Sequence, residues 1–294
     1  MLCTIENDIM RVTVNDLGAQ LWSVLGRDGT QYLWQGDAAY WADRALTIFP
    51  YVARLWQGRY QLDGCEYAMP IHGFAPTSVF ALAEKTPTRM VFELTDSEET
   101  AAQYPRRFLF RVVYELDGAK LTVRCEVENR DVKRMYFGLG GHPGFNVPLE
   151  AGLTFEDYAL CFGAPCAPQR VGFTPDCFVS GEDEPFPLED GVRLPLRHSL
   201  FDEDAIVLRD MAREVTLTAK NGTRGVRVSY PDMPYLGVWH WPGTDAPYVC
   251  IEPWSSLPAR HGSIVQLENQ QDLITAEPGE CYTNTWCIEL LGVQ

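Results

Sequence analysis

Few residues in this chain can exchange protons near neutral pH, and His142 is the first of two that stand out. The chain has five histidines among 294 residues. His142 lies in the segment Gly140-Gly141-His142-Pro143-Gly144, whose glycines and proline predict a loop. Catalytic groups concentrate on loops held by a rigid scaffold, so His142 is a candidate acid or base. The alternative is that its ring bonds a nearby carbonyl.

Glu252 is the most informative carboxylate. It follows the apolar run 248–251 and precedes Pro253-Trp254, which predicts a buried strand that ends beside a large aromatic ring. Burial there would raise the pKa of Glu252 from about 4.3 toward the range of a general base. The alternative is a structural acid paired with an arginine.

Four further residues are candidates for ligand contacts. His72 precedes Gly73, and a glycine lets the backbone approach a ligand closely. Arg54 could orient a hydroxyl or a carboxylate, or form an ordinary ion pair. Asp202 and Asp204 lie in a short acidic segment that is typical of a solvated turn.

Aromatic residues make up 12% of the chain, and three tryptophans lie close in sequence to the candidates above. Trp239, Trp241 and Trp254 could offer faces for stacking, although most tryptophans belong to protein cores. Of the remaining histidines, His240 is expected to be structural, whereas His198 and His261 are expected to lie at the surface.

Signatures of other enzyme classes are missing from the sequence. It has no G-x-S-x-G elbow, no P-loop and no G-x-G-x-x-G turn. It also has no H-E-x-x-H or H-x-H pair. His72, His142 and Glu252 could in principle bind a metal, but their spacing does not indicate a site. We therefore expect neither a metal nor a cofactor.

The charge of the chain limits the choice of partners. The formal net charge is −16 at pH 7, from 40 acidic and 24 basic residues. Such a surface repels phosphate backbones and anionic lipids, which argues against nucleic acid and membranes as partners. A phosphorylated small molecule remains an open alternative as substrate, because a local cluster of arginines can outweigh the diffuse negative field of the whole chain.

Cysteine usage and the N-terminal sequence predict a cytoplasmic protein. The nine cysteines form no C-x-x-C pair, and Cys125 and Cys287 lie inside strand-like stretches, as reduced buried thiols do. Residues 1–10 contain Glu6 and Asp8 and lack the apolar centre of a secretory signal. No apolar stretch is long enough to span a bilayer.

Alternation with period two dominates the chain and predicts an all-β fold. Residues 108–116 and 121–127 alternate on either side of Asp117-Gly118, a strong hairpin signal because glycine accepts a positive φ. The same pattern recurs around Asp63-Gly64 and Asn221-Gly222, and residues 282–290 predict a final strand. Many short strands with few helices are typical of a sandwich or barrel.

Two segments depart from this alternation. Asp96 and Glu99 predict a capping box for a short helix that ends before Pro105. Residues 163–196 are rich in proline, glycine and acidic residues and predict a long irregular excursion. Alternation resumes afterwards and nothing marks a second core, so we expect one domain over residues 1–294.

Taken in order, these segments resemble the aldose 1-epimerase family, in particular its galactose mutarotase-like branch. The resemblance covers essentially the whole chain. It rests on short motifs in the family's order: Arg54, Gly58-Arg59-Tyr60, Leu62-Asp63-Gly64, Ile71-His72-Gly73-Phe74, His142 with Phe145-Asn146, and Cys250-Ile251-Glu252-Pro253-Trp254. The chain departs from the family pattern in having Ala53 where asparagine is common and Pro253 after the glutamate.

The resemblance implies a large antiparallel β-sandwich, the galactose mutarotase-like supersandwich, that acts on a sugar as a monomer or homodimer. It implies that Glu252 removes the proton of the C1 hydroxyl while His142, as an imidazolium, protonates the ring oxygen. Substrate-binding roles are implied for five residues: Arg54, His72, Asp202, Trp239 and Trp254.

Two other functions on the same fold remain open. An enzyme for hexose 6-phosphates would need a further arginine near the phosphate, for which Arg44, Arg59 and Arg260 are candidates. A carbohydrate sensor without catalytic activity would keep the aromatic residues and lose the acid–base pair. His142 and Glu252 are both present, which favours an enzyme.

Overall fold

The computed structural model describes residues 1–293, of which strands form 46% and helices 8%. The first twelve strands are β1 (Leu2–Glu6), β2 (Met10–Asn15), β3 (Gln20–Gly26), β4 (Ala45–Ile48), β5 (Arg59–Leu62), β6 (Cys65–Ala68), β7 (Ala81–Lys85), β8 (Arg89–Thr95), β9 (Phe108–Asp117), β10 (Lys120–Asn129), β11 (Met135–Phe137) and β12 (Gly140–Asn146). The others are β13 (Tyr158–Phe162), β14 (Gln169–Arg170), β15 (Glu184–Pro185), β16 (Arg193–Pro195), β17 (Ile206–Arg209), β18 (Glu214–Ala219), β19 (Gly225–Ser229), β20 (Tyr235–Trp239), β21 (Tyr248–Trp254), β22 (Val265–Gln266), β23 (Ile274–Ala276) and β24 (Cys281–Leu291).

Helical structure is short. The α-helix α1 spans Glu98–Gln103, and the 3₁₀ turns are Trp56–Gly58, Ala75–Thr77, Phe155–Asp157, His198–Phe201 and Leu267–Asn269. Within residues 1–293 no helix is long and apolar enough to cross a bilayer.

Two large antiparallel sheets form the sandwich. One has nine strands in the order β16-β13-β18-β19-β24-β10-β9-β8-β7, and the other has seven in the order β15-β14-β17-β20-β21-β12-β4. Side chains from both sheets, such as Phe110 in β9 and Ile251 in β21, belong to the same buried cluster. The predicted all-β sandwich is confirmed.

The alternation along β21 defines the two faces of the seven-stranded sheet. Val249 and Ile251 pack into the main core between the sheets. Cys250 and Trp254 belong to separate apolar clusters on the opposite, outer face. Successive side chains point to opposite faces of a strand, so Glu252 also lies on this outer face.

The predicted hairpins are present. β9 pairs with β10, β5 with β6, and β18 with β19, with turns at the predicted positions. In the β5–β6 turn Asp63 and Gly64 both have positive φ, 52° and 76°, as a two-residue hairpin turn requires. The predicted final strand is β24.

The predicted short helix exists, but its cap differs from the prediction. Ser97, not Asp96, is the N-cap, and the capping box joins it to Thr100. Asp96 instead accepts a hydrogen bond from the backbone N–H of Phe108 at 3.1 Å, which ties the helix to β9. The helix ends before Pro105, as predicted.

The predicted loop around His142 is wrong, because residues 140–146 form strand β12. The glycines there serve close packing. A Cβ on Gly141 would lie 2.5 Å from the Trp286 ring, and one on Gly140 would lie 3.0 Å from the Trp254 ring. Glycine in a strand often marks such a close approach.

The stretch 163–196 is largely irregular, as predicted, and it also contributes short edge strands to both large sheets. β14 and β15 extend the seven-stranded sheet, whereas β16 extends the nine-stranded sheet. Between β14 and β15 the chain passes over the outer face of the seven-stranded sheet and brings Phe173 and Cys177 there.

We predict that Gly141→Ala lowers the free energy of unfolding by about 1–3 kcal/mol, because the added methyl group overpacks the site beside Trp286. Urea denaturation followed by tryptophan fluorescence measures this loss. Gly262→Ala is the control, because it meets no atom within 4 Å and bears only the strain of a positive φ. The loss in Gly262→Ala reports that strain alone, and a loss below about 1 kcal/mol in Gly141→Ala would contradict the role of this glycine.

Candidate active site

A cavity of about 550 Å³ opens on the outer face of the seven-stranded sheet. This volume lies in the range of sites that bind small molecules. Strands β4, β12, β17, β20 and β21 supply its floor: Leu46, His142, Val207, Trp239, Glu252 and Trp254. Loops supply its walls: Trp41, Ala53, Arg54, Ile71, His72, Phe173, Cys177, Glu203, Asp204, Ala205, Trp241, Pro242 and Pro258.

The strand register brings His142 and Glu252 face to face. Gly140 pairs with Trp254 and Gly144 with Cys250, so His142 lies directly opposite Glu252. The hydrogen-bonded pairing of the two strands is interrupted between these pairs of residues. Pro143 in β12 and Pro253 in β21 lie there, and a proline has no N–H to donate. His142 Nε2 and Glu252 Oε2 lie 3.3 Å apart.

Both side chains are buried, yet they retain unpartnered polar atoms. Glu252 is 1% exposed and His142 is 8% exposed. Within the described residues, Nδ1 of His142 has no hydrogen-bond partner, and Oε2 of Glu252 makes no contact with hydrogen-bond geometry although His142 Nε2 lies 3.3 Å away. Buried polar groups are almost always bonded, and both residues line the cavity, so a ligand bound there could make the missing hydrogen bonds.

Burial sets the protonation of this pair. It raises the pKa of Glu252 well above 4.5, with a further rise from Asp204 and an opposing effect of the Trp254 indole. Burial lowers the pKa of His142 well below 6.5, and neighbouring His72 lowers it further. Burial therefore favours the neutral forms of both residues, with one exchangeable proton between them, and works against the imidazolium expected for His142.

A glycine opposite Glu252 leaves room for its carboxyl group. Gly237 of β20 pairs with Glu252, and a Cβ there would lie 3.2 Å from both the Glu252 Cβ and the Trp254 ring. Trp254 lies two residues beyond Glu252 on the same face, and its indole nitrogen has no hydrogen-bond partner in residues 1–293.

His72 and Ala53 hold each other in an unusual backbone conformation. Both have positive φ, 65° and 55°, and the His72 N–H donates to the Ala53 carbonyl at 3.0 Å. The Ala53 N–H donates to His72 Nδ1 at 3.3 Å. Burial and the charge of Arg54 lower the pKa of His72 to about 4, so its neutral ring carries hydrogen on Nε2 and can donate it.

Arg54 lines the cavity next to His72 without a carboxylate within 4 Å among the described residues. Its backbone is fixed, because its carbonyl accepts a hydrogen bond from Ala259 N–H at 2.9 Å. The guanidinium is therefore available to bind a ligand. The other arginines considered above do not line the cavity: Arg44, Arg59 and Arg260.

The structure does not bring Asp202 into the cavity. Asp202 is exposed at the end of the 3₁₀ turn His198–Phe201. Asp204 lines the cavity instead, with a positive φ of 78°. Its Oδ2 accepts a hydrogen bond from the Cys177 thiol at 3.3 Å.

Aromatic rings surround the imidazole of His142. Trp239, predicted as a candidate, meets it edge to face with centroids 5.7 Å apart. The ring of Trp41 packs against the imidazole with the two ring centroids 4.8 Å apart and an interplanar angle of 30°. Sequence reasoning missed Trp41, because it lies in a strand-free segment with no motif around it.

His240 is structural, as predicted, whereas the surface position predicted for His198 is wrong. His240 is fully buried, with Nδ1 2.8 Å from the Trp241 carbonyl and Nε2 3.1 Å from His198 Nδ1. His198 is half-buried because its ring stacks on Phe155 at 4.1 Å. His261 is exposed.

One combination of side chains in the site resembles a metal-ligand set. Atoms of His142, Cys250 and Glu252 lie within 4.8 Å of one another. Burial raises the pKa of the Cys250 thiol well above 9.0 and that of Glu252 well above 4.5, so the forms that bind metals are disfavoured. The absence of a metal remains a prediction.

The sequence and the fold both have close counterparts among known proteins. The sequence matches a family described as aldose 1-epimerase over residues 1–285. It is 34% identical over 266 residues to the chromosomal protein LacX of Lactococcus lactis subsp. lactis, a match that covers 87% of this chain and 88% of LacX.

Two solved structures share the fold over nearly the whole chain. A galactose mutarotase related enzyme from Lactobacillus acidophilus has a TM-score of 0.94 at 30% identity and covers 99% of this chain and 97% of its own. A galactose mutarotase-like protein from Lactobacillus casei has a TM-score of 0.92 at 31% identity, and the match covers 99% of this chain and 100% of that protein.

We predict that His142 and His240 stay neutral as the pH falls from 7 to 5. The pKa of His142 lies well below 6.5 and that of His240 is lowered to about 4, in both cases mainly by burial. Nitrogen NMR shifts of labelled histidine measure this, with His142→Asn and His240→Asn used for assignment. A transition near pH 6.5 in the His142 ring would contradict the neutral pair, and one in the His240 ring would contradict its burial in the neutral form.

Proposed function

This chain belongs to the aldose 1-epimerase family, and we propose that it interconverts the α and β anomers of an aldohexose. The observation that carries the proposal is the buried pair of His142 and Glu252, whose facing atoms lie 3.3 Å apart on the cavity floor. One group that accepts a proton and one that donates a proton are what the reaction requires.

The reaction opens and recloses the sugar ring. Glu252 takes the proton of the C1 hydroxyl while His142 delivers a proton to the ring oxygen. The bond from C1 to the ring oxygen breaks, C1 becomes an aldehyde, and rotation about C1–C2 presents its other face. Reclosure reverses both transfers, so the pair ends with the single proton with which it began.

This direction of transfer places the proton on the imidazole when the sugar is bound. Burial by itself favours the neutral forms of both residues, so the sugar must move the shared proton from Glu252 to His142 as it binds. The two residues titrate as a unit, so the active form is the pair that holds one proton.

The remaining polar groups of the cavity would hold the sugar. His72 offers Nε2–H, Arg54 offers its guanidinium, and Asp204 offers a carboxylate that can accept from hydroxyl groups. Asp204 takes the role expected for Asp202, because Asp202 lies outside the cavity. Trp239 and Trp254 offer faces for the sugar C–H groups.

The alternative functions have weaker support. A 6-phosphate enzyme would need more positive charge in the cavity, whereas the walls contain one arginine, Arg54, against Glu203 and Asp204. A sensor would have no need for a buried acid–base pair with unpartnered atoms.

We predict that Glu252→Gln and His142→Asn each lower turnover about 10²–10⁴-fold, because each removes one proton-transfer group. The double variant should be little worse than either single one, since the pair acts as a unit. NMR exchange between the two anomer signals measures the rate above the spontaneous reaction.

Glu115→Gln is the matched control, because Glu115 is a surface carboxylate that pairs with Arg89. It should leave the rate unchanged. Rates near that of the wild type in both active-site variants would reject the mechanism. Sugar binding by the wild type without interconversion would support the sensor in its place.

We predict that glucose and galactose are converted faster than their 6-phosphates. The phosphate dianion would meet Glu203 and Asp204 with Arg54 as the one cation among the lining residues. Polarimetry on each sugar and its 6-phosphate gives the comparison. A strong preference for a 6-phosphate would move the assignment to the hexose 6-phosphate enzyme.

A further inference from the structure

Cys177 lines the cavity, and its thiol contacts a carboxylate that is proposed to hold the sugar. The sulfur lies 3.3 Å from Oδ2 of Asp204. Among residues 1–293, Asp204 has no cation within 4 Å, and its other oxygen, Oδ1, accepts from the N–H of Ala205 at 2.7 Å. Within these residues the thiol is therefore the one hydrogen-bond partner of Oδ2.

Both residues have a backbone conformation that residues other than glycine rarely adopt. The angle φ is 65° at Cys177 and 78° at Asp204. Aspartate is enriched several-fold among residues with positive φ, whereas cysteine does not belong to the enriched types. Residues strained in this way cluster at ligand-binding sites, where the surrounding structure holds them. The conformation of Cys177 therefore indicates a function for its side chain.

Hydrogen bonds within residues 174–178 fix the loop that carries Cys177. The N–H of Cys177 donates to the Thr174 carbonyl at 2.8 Å, and the Thr174 N–H donates to the Phe178 carbonyl at 2.9 Å. The Phe178 N–H donates to the Thr174 hydroxyl at 3.2 Å. Phe178 is buried, and its ring packs edge to face on that of Trp56 at 5.0 Å. The loop therefore presents the thiol from a fixed position.

The other contacts of Asp204 are local in sequence. Its backbone N–H donates to the carbonyl of buried Phe201 at 3.0 Å, and the Ala205 N–H binds one carboxylate oxygen. Both contacts come from the same short segment. Cys177 lies 27 residues away in the chain. The thiol therefore fixes the carboxylate against a second part of the cavity wall.

The thiol is in the form that can donate a hydrogen bond. Burial and the charge of Asp204 raise the pKa of Cys177 to about 11, against a lowering by Arg54. At neutral pH the sulfur keeps its hydrogen, and an ionised carboxylate only accepts, so Cys177 donates to Asp204. The same shift makes Cys177 a poor nucleophile, because thiol chemistry proceeds through the thiolate. A role in binding therefore suits this cysteine better than covalent chemistry.

We propose that Cys177 is a positioning residue for sugar binding, whose thiol holds the Asp204 carboxylate in place to accept hydrogen bonds from sugar hydroxyls. The proposal rests on the proposed function, because it takes Asp204 to contact the sugar. An ionised carboxylate has about four lone-pair positions, and Ala205 and Cys177 leave about half of them for a ligand. A carboxylate that is already held loses less entropy when the sugar binds.

Replacement of Cys177 by alanine and by serine separates the hydrogen bond from the backbone strain. Both replacements bear the same positive φ as cysteine, and of the two only serine keeps a donor. We expect Cys177→Ala to weaken the binding of glucose or galactose about three- to tenfold. Turnover should change less than about twofold, because His142 and Glu252 keep their proton-transfer groups. Cys177→Ser should recover most of the affinity.

A double variant tests whether the thiol acts through Asp204. Asp204→Gly removes the carboxylate, and glycine accepts the positive φ at this position. In this background, Cys177→Ala should change the affinity less than about twofold, because its partner is already gone. Titration calorimetry gives the affinities, and NMR anomer exchange at saturating sugar gives turnover.

Cys166→Ala is the matched control, because it removes another half-buried thiol from the same irregular stretch 163–196, outside the cavity. It should bind sugar as the wild type does. Three results would reject the role of Cys177: wild-type affinity in Cys177→Ala, an equal loss in Cys177→Ser, or an undiminished loss in the Asp204→Gly background. A general defect in folding would give the second of these.

Anomer exchange by the wild-type protein is a separate measurement. Sugar binding without interconversion would reject the epimerase function, while the affinities of the variants would still decide the role of Cys177. Absence of sugar binding by the wild type would reject both.

Discussion

The register of β12 against β21 is the constraint on which the site depends. It sets an imidazole and a carboxyl group opposite each other, on the outer face of a sheet whose inner face is the core. The prolines at 143 and 253 remove ladder donors at this point, while the strands stay aligned because pairing resumes at Gly144 and Cys250. A slip of one residue would turn either side chain into the core.

Close packing supports this register from both sides of the sheet. Gly141 lets the ring of Trp286 from the other sheet approach the strand of His142, and Gly237 leaves space for Glu252. The pair of His142 and Glu252 is thus carried by strands, whereas loops supply the walls of the cavity. Burial by the same packing favours neutral forms of both residues and leaves them one proton to exchange.

Sequence patterns predicted the β-sandwich and the hairpins, because alternation and turn residues act locally, whereas the pairing of His142 with Glu252 was implied by the resemblance to the family. They failed where a residue is used for a distant contact. The glycines around His142 indicated a loop, but they serve packing against Trp254 and Trp286. Trp41 and Asp204 reach the cavity through loop paths that no local pattern encodes, and Asp202 next to Asp204 does not.

The strongly acidic charge of the chain has a kinetic consequence for the proposed reaction with an uncharged sugar. An enzyme that draws a charged substrate by its field is sensitive to salt, since ions screen that attraction over about 8–10 Å. An uncharged sugar feels no net pull or push from the −16 formal charge of the chain. Encounter with such a substrate is therefore governed by diffusion and by the open mouth of the cavity, and it is largely independent of ionic strength.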